Sequence, residues 1–436
     1  MLQKFVISPM EKFIKIESFS GILLFFATII ALVWANSPLG HYYESLWSYK
    51  LGIQISNYEL IKPLILWIND GLMAIFFFLI GLEIKRELTV GELNTTKKAI
   101  FPLFAAVGGV AIPGLLFFLL NDSPETLKGW AIPMATDIAF SLAIIKLLGD
   151  RVGLSVKIFL TAFAIVDDLV AVMIIALFYS GGISWMYLVT ALVILAVMFL
   201  LSYLDLFSKY LHLLVGVLVW WLFLKAGIHP TIAGVLLAFV VPIERKIRLD
   251  EFTASLDEIS LNLKKSIVPG VALLNKKQIE HIDNLDDWLY EAQSPLQYLE
   301  HKLHDWVAYI IMPIFALSNA GVTVESMDSL NYRLILSIAA ALFVGKSIGI
   351  YFLSNLAIWT GASKFPDGLN RKKVLGVSFL AGVGFTMSIF IANLAFNDNQ
   401  ALLDSAKVGI IIGSLLSGIA GYIVLSMAGS DKKMAS

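Results

Sequence analysis

Along the chain, long apolar stretches alternate with short polar ones. Windows free of or poor in charge fall at 18–36, 63–84, 99–120, 129–147, 155–179, 184–203, 210–227, 228–242, 303–322, 333–358, 374–397 and 406–428. About 20 helical residues cross the hydrocarbon layer of a bilayer. The pattern therefore predicts an all-α integral membrane protein with twelve transmembrane helices. The seventh and eighth windows are divided only by a tight turn at residues 227–230, and the eighth is short. One stretch breaks the series: residues 243–302 carry clustered acids (Asp250, Glu251, Asp257, Glu258, Asp283, Asp286, Asp287, Glu291) and paired lysines (Lys264, Lys265, Lys276, Lys277). We read it as a hydrophilic cytoplasmic insert, helical in part and broken at Pro269 and Gly270. Spans one to eight (1–242) and nine to twelve (303–436) then form one membrane unit around it.

Composition agrees. Hydrophobic residues make up 58% of the chain and charged ones 15%, against roughly 45–50% and 25% in soluble domains. A net charge of −1 offers no electrostatic footprint for nucleic acid. With no cysteine there is neither a disulfide framework nor a thiol-based metal or redox site. Lysine and arginine test the span count independently, because short cytoplasmic loops are enriched in them. Of the 32, 25 fall on the side of the N-terminus and six on the other, with Lys346 alone inside a span. That alternation predicts cytoplasmic N- and C-termini, and the lysine-bearing N-terminus reads as a retained first span rather than a cleaved leader.

An ionisable side chain at bilayer depth costs several kcal/mol and is a functional signal. Asp167 and Asp168 lie about twelve residues from either end of KIFLTAFAIVDDLVAVMIIALF, near the midplane at about 1.5 Å per residue. Adjacent helical positions point about 100° apart, so the two carboxylates cannot share one environment, and one can line a cavity while the other faces a neighbouring helix. Lys346, in LILSIAAALFVGKSIGIYFLSNL, lies at the same depth, too far from an interface to snorkel, and a salt bridge to the aspartates is geometrically possible. Gly345 and Gly349 beside it permit close helix approach. Asp137 follows Thr136 in GWAIPMATDIAFSLAI, where Pro133 removes an N–H and favours local unwinding. There it either caps a half-helix or coordinates a cation. Asp70 lies seven residues into its span, near the opposite surface.

The eleventh span, VSFLAGVGFTMSIFIANLAF, is interrupted at Gly382 and Gly384, with Thr386 behind them. Spans 3–5 and 10–12 thus each carry an interrupted middle member, spans 4 and 11, and the charge count makes the two triplets cross in opposite directions. Paired interruptions of this kind mark a midplane site in an inverted repeat of secondary transporters, the family named next among the known cases.

The segments LWINDGLMAIFFFLIGLEIKREL, IPMATDIAFSLAIIKLLGDRV, KIFLTAFAIVDDLVAV, GIHPTIAGVLLAF, HDWVAYIIMPIFALSNAG, FVGKSIGI and GVGFTMSIFIANLAF resemble those of the NhaA-type Na+/H+ antiporters, across nearly the whole chain outside the insert. The resemblance implies Asp168 as the principal cation and proton carboxylate, Asp167 beside it paired with Lys346, and Thr136 and Asp137 where two unwound spans cross. It implies no cofactor, only transported Na+ or Li+ and H+. It further implies electrogenic exchange, a homodimer in the bacterial inner membrane, and a pH-sensing region at Glu83, Arg86, Glu87, Glu300, His301 and His304. His229 matches a family histidine too. The 243–302 insert departs from the compact connection of well-known members.

Other classes fit less well. An intramembrane aspartyl protease would carry a GxGD signature, and a retinal pigment would not need twelve spans with two interruptions. A proton-coupled carrier of another solute is the nearest alternative. Carboxylates and hydroxyls suit a small hard cation, whereas an organic solute needs a larger polar lining.

Overall fold

The computed structural model describes residues 9–55, 58–204, 206–245, 247–265, 276, 279–280, 285, 288, 292–323 and 330–428. It is built of helices. The long first helix α1 (Pro9–Ala35) leads into the short α2 (Gly40–Ser48), with a bend of 111° between them. An antiparallel hairpin follows, β1 (Lys50–Ile55) on β2 (Tyr58–Pro63), in register from Lys50 opposite Pro63 to Ile55 opposite Tyr58. Then come α3 (Leu64–Thr89), α4 (Thr96–Leu120), α5 (Pro124–Met134) and α6 (Ile138–Leu147). They are followed by α7 (Leu154–Phe178), α8 (Trp185–Tyr203), α9 (Lys209–Ala226) and α10 (Thr231–Val240). From the insert, α11 (Leu249–Lys265) is described; Pro269 and Gly270, where a break is expected, lie outside the described residues. Residues 295–319 form α12, and α13 (Tyr332–Trp359), α14 (Arg371–Ala381), α15 (Phe385–Ala395) and α16 (Gln400–Met427) complete the chain.

Seven described helices are long and apolar enough to cross a membrane, or ten when each of three bent pairs counts as one span. The chain is thus a multi-pass membrane protein. Its outward faces agree: Leu213, Leu214 and Leu177 are each at least 70% exposed, an apolar belt that lipid, not water, would cover. The hairpin was not expected from the apolar windows, which leave residues 37–62 as a loop.

Asparagine opens several helices. Asn331, Asn370 and Asn399 each accept a hydrogen bond from a backbone N–H three residues on, capping α13, α14 and α16. Glycine permits the closest packing. A Cβ on Gly108 of α4 would stand 2.1 Å from the Gly349 carbonyl of α13, and one on Gly349 equally close to that of Gly108. Only glycines allow this approach, and it fixes α13 beside α4 and so positions Lys346 one turn away.

Two helix pairs are broken in mid-course. Between α5 and α6, which bend by 48°, the last turns containing Pro133 tighten to a 3-10 helix and Ala135 is extended. Between α14 and α15, bent by 42°, the break is Gly382–Gly384. The two breaks cross, against the middle of α7.

Candidate functional site

The crossing is held by main-chain groups that two interrupted helices leave without internal partners. Asp137 N–H donates to the Val383 carbonyl at 2.7 Å, Thr136 Oγ1 to Ala381 O at 3.0 Å, Ser141 Oγ to Leu380 O at 2.9 Å and Ser388 Oγ to Ile132 O at 2.8 Å. The Asp137 carboxylate serves both helices that start here. Its Oδ1 accepts from Phe140 N at 3.0 Å at the head of α6, and its Oδ2 from Thr386 N at 3.1 Å and Thr386 Oγ1 at 2.5 Å at the head of α15. One negative group therefore faces two positive helix ends. Gly384 makes room for this: a Cβ there would lie 2.8 Å from the Ala135 carbonyl.

Lys346 faces the complementary end. Its ammonium donates to the Met134 carbonyl, where α5 stops, and to Asp167 Oδ2 at 3.0 Å. Lys346 and Asp167 are 0% and 1% exposed at their side chains, so the ion pair is dry. The turn that leads to the lysine, Ala341–Gly345, is π-helical, a local widening common at functional sites. Asp168, adjacent on α7, points elsewhere. With Thr136, Asp137, Ile80 and Glu83 it lines a cavity of about 40 Å³ running along α3. The structure thus brings together Thr136, Asp137, Asp167, Asp168 and Lys346, from two helices and one break.

A second charged group lies at the insert end of α3 and α12. Arg86 pairs with Glu300 at 2.8 Å and with Glu87 at 2.8 Å, while Glu87 Oε2 accepts from the Glu92 N–H at 2.7 Å. His304 Nδ1 lies 3.9 Å from Glu83 Oε1. Burial pushes the Glu300 carboxyl up from its ordinary value; Arg86 opposes this and Glu87 reinforces it. His301 is on the same helix but exposed. Glu83 belongs to both groups, since it also lines the cavity of Asp168.

Asp70 is in neither. It lies at the hairpin end of α3, in a π-helical turn (Trp67–Leu72), and pairs with Lys62 of β2 at 2.7 Å. The hydrogen bond from Trp220 of α9 goes to its main-chain carbonyl, at 2.9 Å. His229 Nδ1 lies 3.1 Å from Thr231 Oγ1, with its ring edge-on to Phe390. Thr386, Ser388 and Ser141 were not singled out as site residues from the sequence. The signal was present as hydroxyls within apolar windows, but serine and threonine also bond harmlessly to their own helix.

A family model described as Na+/H+ antiporter 1 matches residues 11–425. Among the similar proteins is a Na(+)/H(+) antiporter NhaA of Oleidesulfovibrio alaskensis, 45% identical over 426 residues, covering 96% of this chain and 94% of that protein. Proteins of the same name from Helicobacter pylori, 42% identical with 95% and 94% covered, and Yersinia enterocolitica, 41% identical with 96% of each covered, are also similar. These relatives are transporters, not enzymes. The match runs through both helix breaks, the α7 aspartates and Lys346, and the chain belongs to the Na+/H+ antiporter family of the NhaA type.

Proposed function

We propose that the protein exchanges internal Na+ or Li+ for external H+ across the bacterial inner membrane, with cation and proton competing for Asp167 and Asp168. The observation that carries this reading is the dry Asp167–Lys346 pair beside a small cavity that Asp168 lines. A sodium ion arriving along the Glu83 side meets Asp168 first. Coordination by both carboxylates and the Thr136 hydroxyl then displaces Lys346 from Asp167. Protons reaching the site after it turns to the other face restore the starting arrangement. With one proton on Asp168 and the second carried by the Lys346 ammonium that pairs with Asp167, a sodium ion that displaces both moves one net charge per cycle, so the exchange is electrogenic and driven by the membrane potential.

The cavity's 40 Å³ supports a small ion as cargo, being well below the several hundred Å³ typical of a pocket for an organic solute. In this reading the chain has twelve spans in an inverted repeat, works as a homodimer, and turns its insert and both termini to the cytoplasm. Glu83, Arg86, Glu87, Glu300, His301 and His304 set its pH response at that mouth. Asp70 is a supporting charge at the opposite one.

The test is a ΔpH-sensitive dye in everted membrane vesicles. Addition of Na+ or Li+ should dissipate the acid interior, K+ should not, and Asp168→Asn should abolish the response. Full Na+-dependent dissipation by that variant removes Asp168 from the mechanism, and a wild type that answers K+ but not Na+ overturns the substrate.

A further inference from the structure

The path from the ion site toward the hairpin is closed in two layers. The inner layer is apolar: Phe77 of α3, Phe315 of α12 and Phe390 of α15 are 1%, 0% and 0% exposed, with Phe390 ring centroids 5.5 Å from Phe77 and 6.2 Å from Phe315. The outer layer is made of amides. Each of the same helices carries an asparagine nearer the hairpin: Asn69, two turns before Phe77; Asn319, four residues after Phe315; and Asn393, three after Phe390. Asn69 and Asn319 exchange a reciprocal pair of hydrogen bonds, 3.2 Å and 2.9 Å, and Asn393 Nδ2 donates to the same Asn319 Oδ1 at 2.8 Å. Asn319, 1% exposed, is anchored in turn to Phe315 O at 3.0 Å and Ser318 Oγ at 2.8 Å.

The three helices are tied at different places. Through Thr386 and Ser388, α15 is stitched into the crossing that holds the ion site. At their far ends α3 and α12 are joined to each other by Arg86–Glu300 and Glu83–His304. The Asn393–Asn319 bond therefore joins the helix stitched into the crossing to the α3–α12 pair.

We propose that Asn69, Asn319 and Asn393 form the fastening of the gate on the hairpin side, released each time the site faces that way, and that their bonding sets the balance between the two facings. The chemistry suits the task. A carboxamide donates and accepts without a fixed charge, so it closes the path and neither traps nor repels a passing cation. Buried amides left unpaired are costly, but once water enters they regain partners. Opening is thus tied to wetting. This proposal rests on the exchange reading above, in that it presumes a site with two facings.

The chain has no cysteine, so single introduced thiols report accessibility. Met73, 0% exposed, lies on α3 between Asn69 and Phe77 at four-residue spacing, inside the amide layer. Ile80 lines the cavity that leads to Glu83. Met73→Cys and Ile80→Cys are labelled in vesicles of both orientations with a membrane-impermeant maleimide, the faces being identified by Tyr49→Cys at the hairpin and Glu251→Cys on the insert. Asn319→Ala should raise the labelling rate of Met73→Cys from the hairpin face at least about tenfold, because it removes all three interhelical amide bonds at once. It should also lower that of Ile80→Cys from the insert face. Asn393→Ala, which removes one bond of a half-buried side chain, should shift both rates the same way but less, and it carries the test if Asn319→Ala does not accumulate. Unchanged rates, or both rates rising together as general loosening would cause, overturn the proposal. Na+-dependent dissipation of ΔpH by the parent is scored separately: its absence sinks the exchange reading, whereas normal exchange with unaltered labelling sinks the fastening alone.

Discussion

Lys346→Met tests whether the Asp167–Lys346 pair is a coupled unit. Both side chains are at most 1% exposed, and the ammonium also serves the Met134 carbonyl. Methionine keeps an apolar stem only one atom shorter but removes the charge, so the Asp167 carboxylate is left buried without its counter-charge. Breaking one half of a buried pair costs about 3–5 kcal/mol. Asp167→Asn alone leaves the ammonium stranded, at a similar cost of about 3–5 kcal/mol. The double variant strands neither charge, and only weaker polar contacts are missing, about 1–2 kcal/mol in all. The three numbers imply a coupling energy of at least about 4 kcal/mol, on the order of a thousandfold in the folding equilibrium. Denaturant titration of the detergent-solubilised protein, followed by tryptophan fluorescence, measures all four forms. The double variant should be more stable than either single one, although incapable of exchange. If the single losses simply add, within about 0.5 kcal/mol, the pair is not a unit and the site's electrostatics must be rebuilt around other groups.

Two further outcomes follow from the packing and the insert-end charges. Gly349→Val drives a branched side chain into the Gly108 carbonyl, 2.1 Å from where its Cβ would fall; overpacking should destabilise by about 1–3 kcal/mol, with a lowered melting midpoint and exchange lost by displacement of Lys346. Burial holds the Glu300 carboxyl above its ordinary range, so the folded protein binds its proton more tightly than the unfolded chain does, and stability falls as pH rises from the ordinary carboxyl value through the raised one. Glu300→Gln should flatten that dependence and shift the pH profile of exchange; an unshifted profile in the vesicle assay would remove Glu300 from pH sensing.

Much of the candidate site could be read from the sequence because of what lipid forbids. Asp167, Asp168 and Lys346 are conspicuous within apolar windows, and their equal depth pointed to an encounter that distance now quantifies at 3.0 Å. The interruptions in the fourth and eleventh windows were legible through Pro133, Gly382 and Gly384, although the chain actually straightens just past the proline, at Ala135, where the other helix passes. Asn69, Asn319 and Asn393 went unnoticed, since a neutral amide is only mildly disfavoured in a span and its partner is hundreds of residues away. The hairpin was missed for a related reason: its strands are short, and their pairing follows from register rather than from any apolar run. The π-helical turns at Trp67–Leu72, Val307–Ile311 and Ala341–Gly345 have no counterpart in hydropathy at all.

The double duty of Asp137 constrains how the molecule moves. Because one carboxylate neutralises the heads of both α6 and α15, drawing those heads apart would bare two amide-rich tips in a medium without water. If the site turns from one face to the other as proposed, the crossing has to travel as a solid pivot.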